Sequence, residues 1–170
     1  LWDFARRKVV WSKDEDESDP ITTVAFTDGD LVAYGTAGGR LTVADAKERT
    51  VAYHRNFPNG IQSLAFSPQG LWMAIGDRAG HLSVVPFESG VWDLKASRQW
   101  PAHQGRVYAT KITPDGFRLF SGGDDGRIVL WEPFINAANK VVSLARDGVD
   151  VIPLEDGTFV VGAYGSVRLF

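Results

Sequence analysis

The sequence predicts an all-β fold built from one small antiparallel sheet repeated along the chain, and three observations predict it. Four apolar segments recur, Ile21–Phe26, Ile61–Phe66, Val107–Ile112 and Val149–Leu154, with starts 40, 46 and 42 residues apart. Each runs into a turn: Thr27-Asp-Gly29, Ser67-Pro-Gln-Gly70, Thr113-Pro-Asp-Gly116 and Glu155-Asp-Gly157. Pro, Asp and Gly supply the fixed or positive φ that a tight hairpin needs. The 18 glycines sit singly or in small clusters between short apolar runs, which is the punctuation of strands rather than of helices.

The remaining strands follow in order. A second apolar strand ends at Gly35, Gly76, Gly122 and Gly162, and a short link leads to Gly39, Gly80, Gly126 and Gly165. The third strands are Arg40–Val43, His81–Val84, Arg127–Leu130 and Ser166–Leu169, alternating polar and apolar with the period of a sheet. An outer fourth strand reads Val9–Trp11, Val51–Tyr53, Arg98–Trp100 and Val141–Ser143. Three hairpin-linked strands plus an outer fourth, repeating every 40 to 46 residues, describe the four-stranded antiparallel blade of a β-propeller. One such sheet cannot cover both of its faces, so the core is expected between neighbouring blades.

The third repeat carries more than the period. Ala102-His103, Ser121-Gly-Gly-Asp-Asp125-Gly and Trp131-Glu132 are spaced as in the WD40 repeat family, which the chain resembles. The resemblance implies a structural hydrogen-bonded chain through Trp131, Ser121, His103 and Asp125. The other repeats depart from it: Gly38 and Ala79 stand at the Asp125 position, and Ala44, Val85 and Phe170 at the Trp131 position, while Leu1-Trp2-Asp3 restores the signature dipeptide. It implies about four repeats, with 1–12 as the outer strands of a preceding blade, 13–55, 56–100 and 101–145 as repeats, and 146–170 as a partial last blade. The expected ring is incomplete, a segment of a longer propeller completed by blades of the same or another chain. Closure as a four-bladed ring is the alternative.

Composition and motif content narrow the chemistry. A formal charge of −3 gives no support to sequence-blind binding of nucleic acid or of an anionic membrane, and no apolar run approaches the length of a membrane span. The lack of cysteine removes disulfides and thiolate metal sites and fits a reducing compartment; the expected one is the cytoplasm, with the nucleus left open. His54, His81 and His103 fall in different repeats without metal-ligand spacing, so neither metal nor cofactor is expected. There is no nucleophile elbow and no phosphate loop; Gly35–Gly39 links two strands and reads as a turn. Asp124-Asp125 is a tempting carboxylate pair, but adjacent strand side chains point to opposite faces and Asp125 already has a structural post. The acidic run Asp14–Asp19 reads as a solvated loop, with calcium or a basic partner as the alternative, and Trp72 and Trp92 read as packing or rim residues.

The expected function is that of a non-catalytic scaffold or adaptor offering a rigid surface to other proteins. The alternative is the propeller portion of a larger enzyme or regulatory protein whose chemistry lies in another domain. Loops entering the first strand and links between second and third strands share one face, which is the usual docking surface of the family. That face is expected to present Arg40, Arg78, His81, Arg106, Tyr108 and Arg127, a set suited to an acidic or phosphorylated peptide.

Overall fold

The computed structural model describes residues 2–3, 7–9, 17–27, 29–48, 50–88, 91–93, 95–134, 140–142, 148–153, 158–163 and 166–169. Outside them lie Asp14 to Asp16 of the acidic run, Trp11, Ser143, the turn at Glu155 to Gly157, Gly165 and Phe170. The elements described are all strands. β1 (Trp2–Asp3) pairs with β2 (Lys8–Val9). The first large sheet is β3 (Ile21–Phe26), β4 (Leu31–Thr36), β5 (Arg40–Asp45) and β6 (Thr50–Asn56), in that order.

The second sheet contains β7 (Ile61–Phe66), β8 (Trp72–Asp77), β9 (His81–Glu88), β10 (Val91–Trp92) and β11 (Arg98–Pro101). The third runs β12 (Val107–Ile112), β13 (Leu119–Gly123), β14 (Ile128–Trp131), β15 (Lys140–Val142), and the fourth β16 (Gly148–Pro153), β17 (Phe159–Ala163), β18 (Ser166–Leu169). Every pairing is antiparallel between sequence neighbours except in the second sheet, where β9 is shared. Its start pairs with β11 and its end with β10, so the outer position is filled by two short strands. The sequence pattern did not predict β10, whose Trp92 is buried against Phe66 and Phe87 with ring centroids 5.5 and 4.7 Å away.

The sheets stack in chain order as an open arc, with β7 packed on β3 and β4, β12 on β7 and β8, and β16 on β12 and β13. Alternation in β8 shows why. Met73 and Ile75 enter one core with Ala33, Leu41, Val43 and Ile61, while Trp72 and Ala74 enter the other with Val107, Leu119, Val129 and Trp131. All six residues of β8 are buried, so this strand has no solvent face. At about 1.5–3 kcal/mol for each large apolar side chain taken from water, burial between sheets is the main cohesive term.

Glycine stands one residue before the end of the second strands, where the sheets approach closely. A Cβ on Gly35 would lie 2.4 Å from Ile61 Cγ2, and one on Gly76 would lie 2.4 Å from Ser63 Oγ and 2.7 Å from Val107 Cγ1. Gly76→Ala is expected to cost about 1–3 kcal/mol by overpacking, read as a lower urea midpoint. Trimming the obstructing side chain with Val107→Ala should relieve part of that clash, so the double variant should lose less than the sum of the single losses. Strict additivity would mean that Gly76 is not held by this contact.

Candidate functional site

The loops entering β3, β7 and β12 meet the links that join second to third strands, and in each of the first three sheets an aspartate ties the two together. In the third sheet, Trp131 Nε1–H donates to Ser121 Oγ at 2.8 Å, Ser121 Oγ lies 2.7 Å from His103 Nε2, and His103 Nδ1 lies 2.9 Å from Asp125 Oδ1. With the imidazole neutral, each group donates to the next: indole to hydroxyl, hydroxyl to Nε2, and Nδ1–H to carboxylate. Asp125 also accepts the Gln104 and Arg127 N–H groups, both at 3.1 Å. The four residues expected together from sequence are thus brought together.

The order Asp-His-Ser is that of a hydrolytic triad, but the surroundings are not. Ser121 is 0% exposed and its oxygen is capped by the Trp131 indole, so no substrate carbonyl can reach it. Asp124 and Asp125 lie in a turn rather than in a strand, which corrects the reason for expecting them to diverge. Asp125 faces inward to His103, whereas Asp124 faces out and accepts the Arg106 N–H at 2.9 Å. That N–H is the main cause holding the Asp124 carboxyl below its ordinary value.

The other sheets reach the same end from different positions. In the second, Asp77 at the end of β8 accepts Asn59 Nδ2–H at 2.8 Å, the Ala79 and His81 N–H groups at 2.9 and 2.8 Å, and faces His81 Nδ1 at 3.1 Å. In the first, Asp19 of the entering loop accepts Thr36 Oγ1–H at 2.8 Å and the Gly38 N–H, and lies 3.5 Å from Arg40. The last residue of the acidic run is therefore a structural tie rather than a solvated charge. Thr36, Asp77 and Gly123 occupy equivalent strand ends. A Cβ at Gly123 would fall 2.5 Å from the His103 ring, so where the loop supplies an imidazole the strand end must be bare. Gly80 serves the same junction: its carbonyl accepts the Ala102 and His103 N–H groups, and at φ +90° a Cβ there would strike the His103 carbonyl.

Tyr108 owes its position to a feature without a sequence signal. The pairing register of the first strand shifts once in every sheet, between Ile21 and Thr23, Ile61 and Ser63, Val107 and Ala109, and Gly148 and Asp150. Each bulge re-aims one side chain. In the first sheet Thr22 donates to the Gly35 and Ile61 carbonyls, joining two sheets. In the third, Tyr108 stands 44% exposed with the Arg106 guanidinium 5.8 Å from its ring centroid.

The six residues expected to form a docking face divide into two groups. Arg40 pairs with Asp19, His81 with Asp77, and Arg106 lies 3.8 Å from Asp124. Arg78 and Arg127 are exposed and meet no carboxylate among the described residues. Trp72 and Trp92, both buried, are packing residues. Among the described residues no group of three or more His, Asp or Glu could hold a metal ion, and no helix is long and apolar enough to cross a membrane.

Burial opposes ionisation of Asp125, but the His103 hydrogen bond and the two backbone N–H groups outweigh it, so its carboxyl titrates below the ordinary aspartate value. A folded value below the unfolded one, about 3.9, gives stability that is complete above the unfolded value and lost as pH falls through the folded one. Asp125→Asn should therefore lower the urea midpoint at neutral pH. Its deficit should shrink as pH falls from about 5 to about 3. A deficit that stays constant over that window would show that the Asp125 charge does not contribute.

Comparison with known proteins follows the same lines. Residues 89–132, which include His103, Ser121, Asp125 and Trp131, match the family model described as WD domain, G-beta repeat. Echinoderm microtubule-associated protein-like 2 of Mus musculus is 24% identical over the whole chain, which spans 30% of that protein. Telomerase protein component 1 of Mus musculus is 30% identical over 79% of the chain, which spans 5% of it. The chain thus covers less than a third of these two relatives. The β-propeller domain of Cps50 (Swd1) from Myceliophteria thermophila superimposes on 99% of the chain with a TM-score of 0.81 at 16% identity, the chain covering 56% of that domain. Period, sheet topology, the hydrogen-bonded chain and these matches agree: the protein is a run of β-propeller blades, and residues 89–132, which include the third sheet's His103, Ser121, Asp125 and Trp131, match the WD40 repeat.

Proposed function

We propose that the chain is a non-catalytic scaffold whose loop face docks acidic or phosphorylated peptide segments of other proteins. The observation that carries this reading is the orientation of charge on that face. Asp19, Asp77 and Asp125 are turned inward and occupied by loop hydrogen bonds, their side chains 19%, 7% and 8% exposed. Arg78 and Arg127 are exposed and meet no carboxylate among the described residues, and the stacked pair Arg106 and Tyr108 belongs to the same face. Arginine and tyrosine combine contact area with directed hydrogen bonds, the properties of interface hot spots.

The arginines and aspartates of this face nearly balance, so it exerts little pull at long range. Recognition is by contact, through guanidinium groups that fork onto carboxylate or phosphate oxygens. The relatives are named for a microtubule-associated protein and for a protein component of telomerase, and both names fit a binding role. Arg40 and His81, engaged within the fold, serve the loops first and a partner second.

Fluorescence anisotropy with a labelled phosphoserine peptide rich in Asp and Glu tests the reading. Arg78→Ala and Arg127→Ala should each weaken binding about tenfold, the scale of one charge-assisted hydrogen bond. Arg40→Ala should leave affinity almost unchanged. Equal affinity for the native chain and the Arg78→Ala/Arg127→Ala double variant would refute the chosen face.

A further inference from the structure

The ends of the strands opposite the aspartate ties carry a second, chemically different surface. The residue six positions before the equivalent strand ends Thr36, Asp77 and Gly123 is Asp30 in the first sheet, Leu71 in the second and Phe117 in the third. The equivalence of the first two is visible in the backbone: the Asp30 carbonyl accepts the Ala46 N–H and the Leu71 carbonyl the Phe87 N–H, both at 2.7 Å. Where the first sheet places a solvated carboxylate, the next two place large apolar side chains that are 60% and 71% exposed. With Phe134, 46% exposed, they line a single open groove of about 460 Å³ between the two sheets.

The floor of that groove is fixed. Trp72 is 4% exposed, donates its indole N–H to the Gly116 carbonyl at 3.0 Å across the sheet boundary, and meets Phe134 edge-on at 5.2 Å. The rim is acidic. Glu88 and Asp115 are the ionisable residues that line it among the described residues, both exposed. Asp115 is held in place by the Thr113 hydroxyl and the Phe117 N–H, which also keep its carboxyl below the ordinary value. The neighbouring cation Arg118 lies 3.6 Å from Glu132 and also acts on Asp115, so it offsets part of the rim charge and leaves Glu88 unopposed.

We infer that this groove docks a short peptide segment with one or two adjacent apolar anchors flanked by lysine or arginine. The exposed Leu71, Phe117 and Phe134 supply the area that an anchor covers, and Glu88 and Asp115 pair with its flanks. Charge complementarity decides the occupant: an acidic or phosphorylated segment, suited to the opposite face, meets repulsion here. A small polar metabolite finds apolar walls and no converging set of donors. The assignment does not depend on the loop face, since no residue is shared.

The test uses the purified chain and a fluorescein-labelled peptide, Gly-Lys-Arg-Phe-Leu-Arg-Lys-Gly, titrated at low ionic strength. Saturable binding is expected, and the counterpart with Glu in place of every Lys and Arg should not bind. Leu71→Ser and Phe117→Ser, both at exposed positions, should each weaken binding at least about tenfold, and Glu88→Lys should weaken it independently of the apolar contact. Near-ultraviolet circular dichroism checks that each variant is folded, and any one folded variant suffices as a readout. Absence of saturable binding, or binding unchanged in the folded variants, overturns the proposal. Sedimentation equilibrium that shows a dimer dissolved by Phe117→Ser would assign the groove to a second copy of the chain and overturn it as well.

Discussion

Every part of this structure depends on the fact that a four-stranded sheet of this size has two apolar faces and cannot cover either alone. The second sheet shows the consequence in full: Met73 and Ile75 serve one core, Trp72 and Ala74 the other, and no residue of β8 is left for solvent. Cohesion therefore lies between sheets, not within them, and any change that separates two sheets removes a core from both. The inner strands must also come close enough to exclude water, which is what the bare positions Gly35 and Gly76 permit.

Close packing of sheets leaves a problem at the strand ends, where the backbone of loops and links must find partners without the regular ladder. The chain solves it three times with one carboxylate and three different arrangements. Asp19 reaches from loop to link, Asp77 from strand end to loop, and Asp125 from link to loop through His103. What is kept is a carboxylate that accepts the backbone N–H groups of the junction, since a buried N–H left without a partner costs about 1–3 kcal/mol. What varies is which element supplies the side chain. The Gly123 position makes the exchange visible, because the imidazole of His103 fills the space that the Asp77 side chain fills in the neighbouring sheet.

This exchange explains what was legible in the sequence. Period, turns and strand order were readable because hairpin geometry and sheet alternation constrain residues at fixed spacing; the outer strand expected at Val51–Tyr53, for example, lies inside Thr50–Asn56. The third-sheet junction was readable because Ala102-His103, Ser121 to Gly126 and Trp131-Glu132 are spaced as in the WD40 repeat, a resemblance that implied the hydrogen-bonded chain. The equivalents at Asp19 and Asp77 were not, because a carboxylate that shifts position by two residues, or moves to another loop, leaves no mark at the motif positions. The bulges were hidden for a related reason. Thr22, Gln62 and Tyr108 are each at least partly exposed, so an extra residue there does not disturb the apolar pattern. The groove was hidden because Leu71 and Phe117 read as flanks of turns, and only the stacking of two sheets brings them to one place.

The two ends of the strands thus have different freedoms. At the loop end Asp19, Asp77 and Asp125 face inward and Asp124 faces out beside Arg106, while Arg78 and Arg127 are exposed and meet no carboxylate among the described residues. At the turn end the backbone closes its own hairpins, with Ser67, Thr113 and Asp115 accepting the turn N–H groups. The equivalent position at the end of the turn is then free to be Asp30, Leu71 or Phe117 without cost to the turn. Residues that the fold does not need are the ones available for recognition, and here they lie at both ends of a core that holds them rigid. Binding to either end needs no rearrangement of the other, because β8, which runs between them, has no solvent face to adjust.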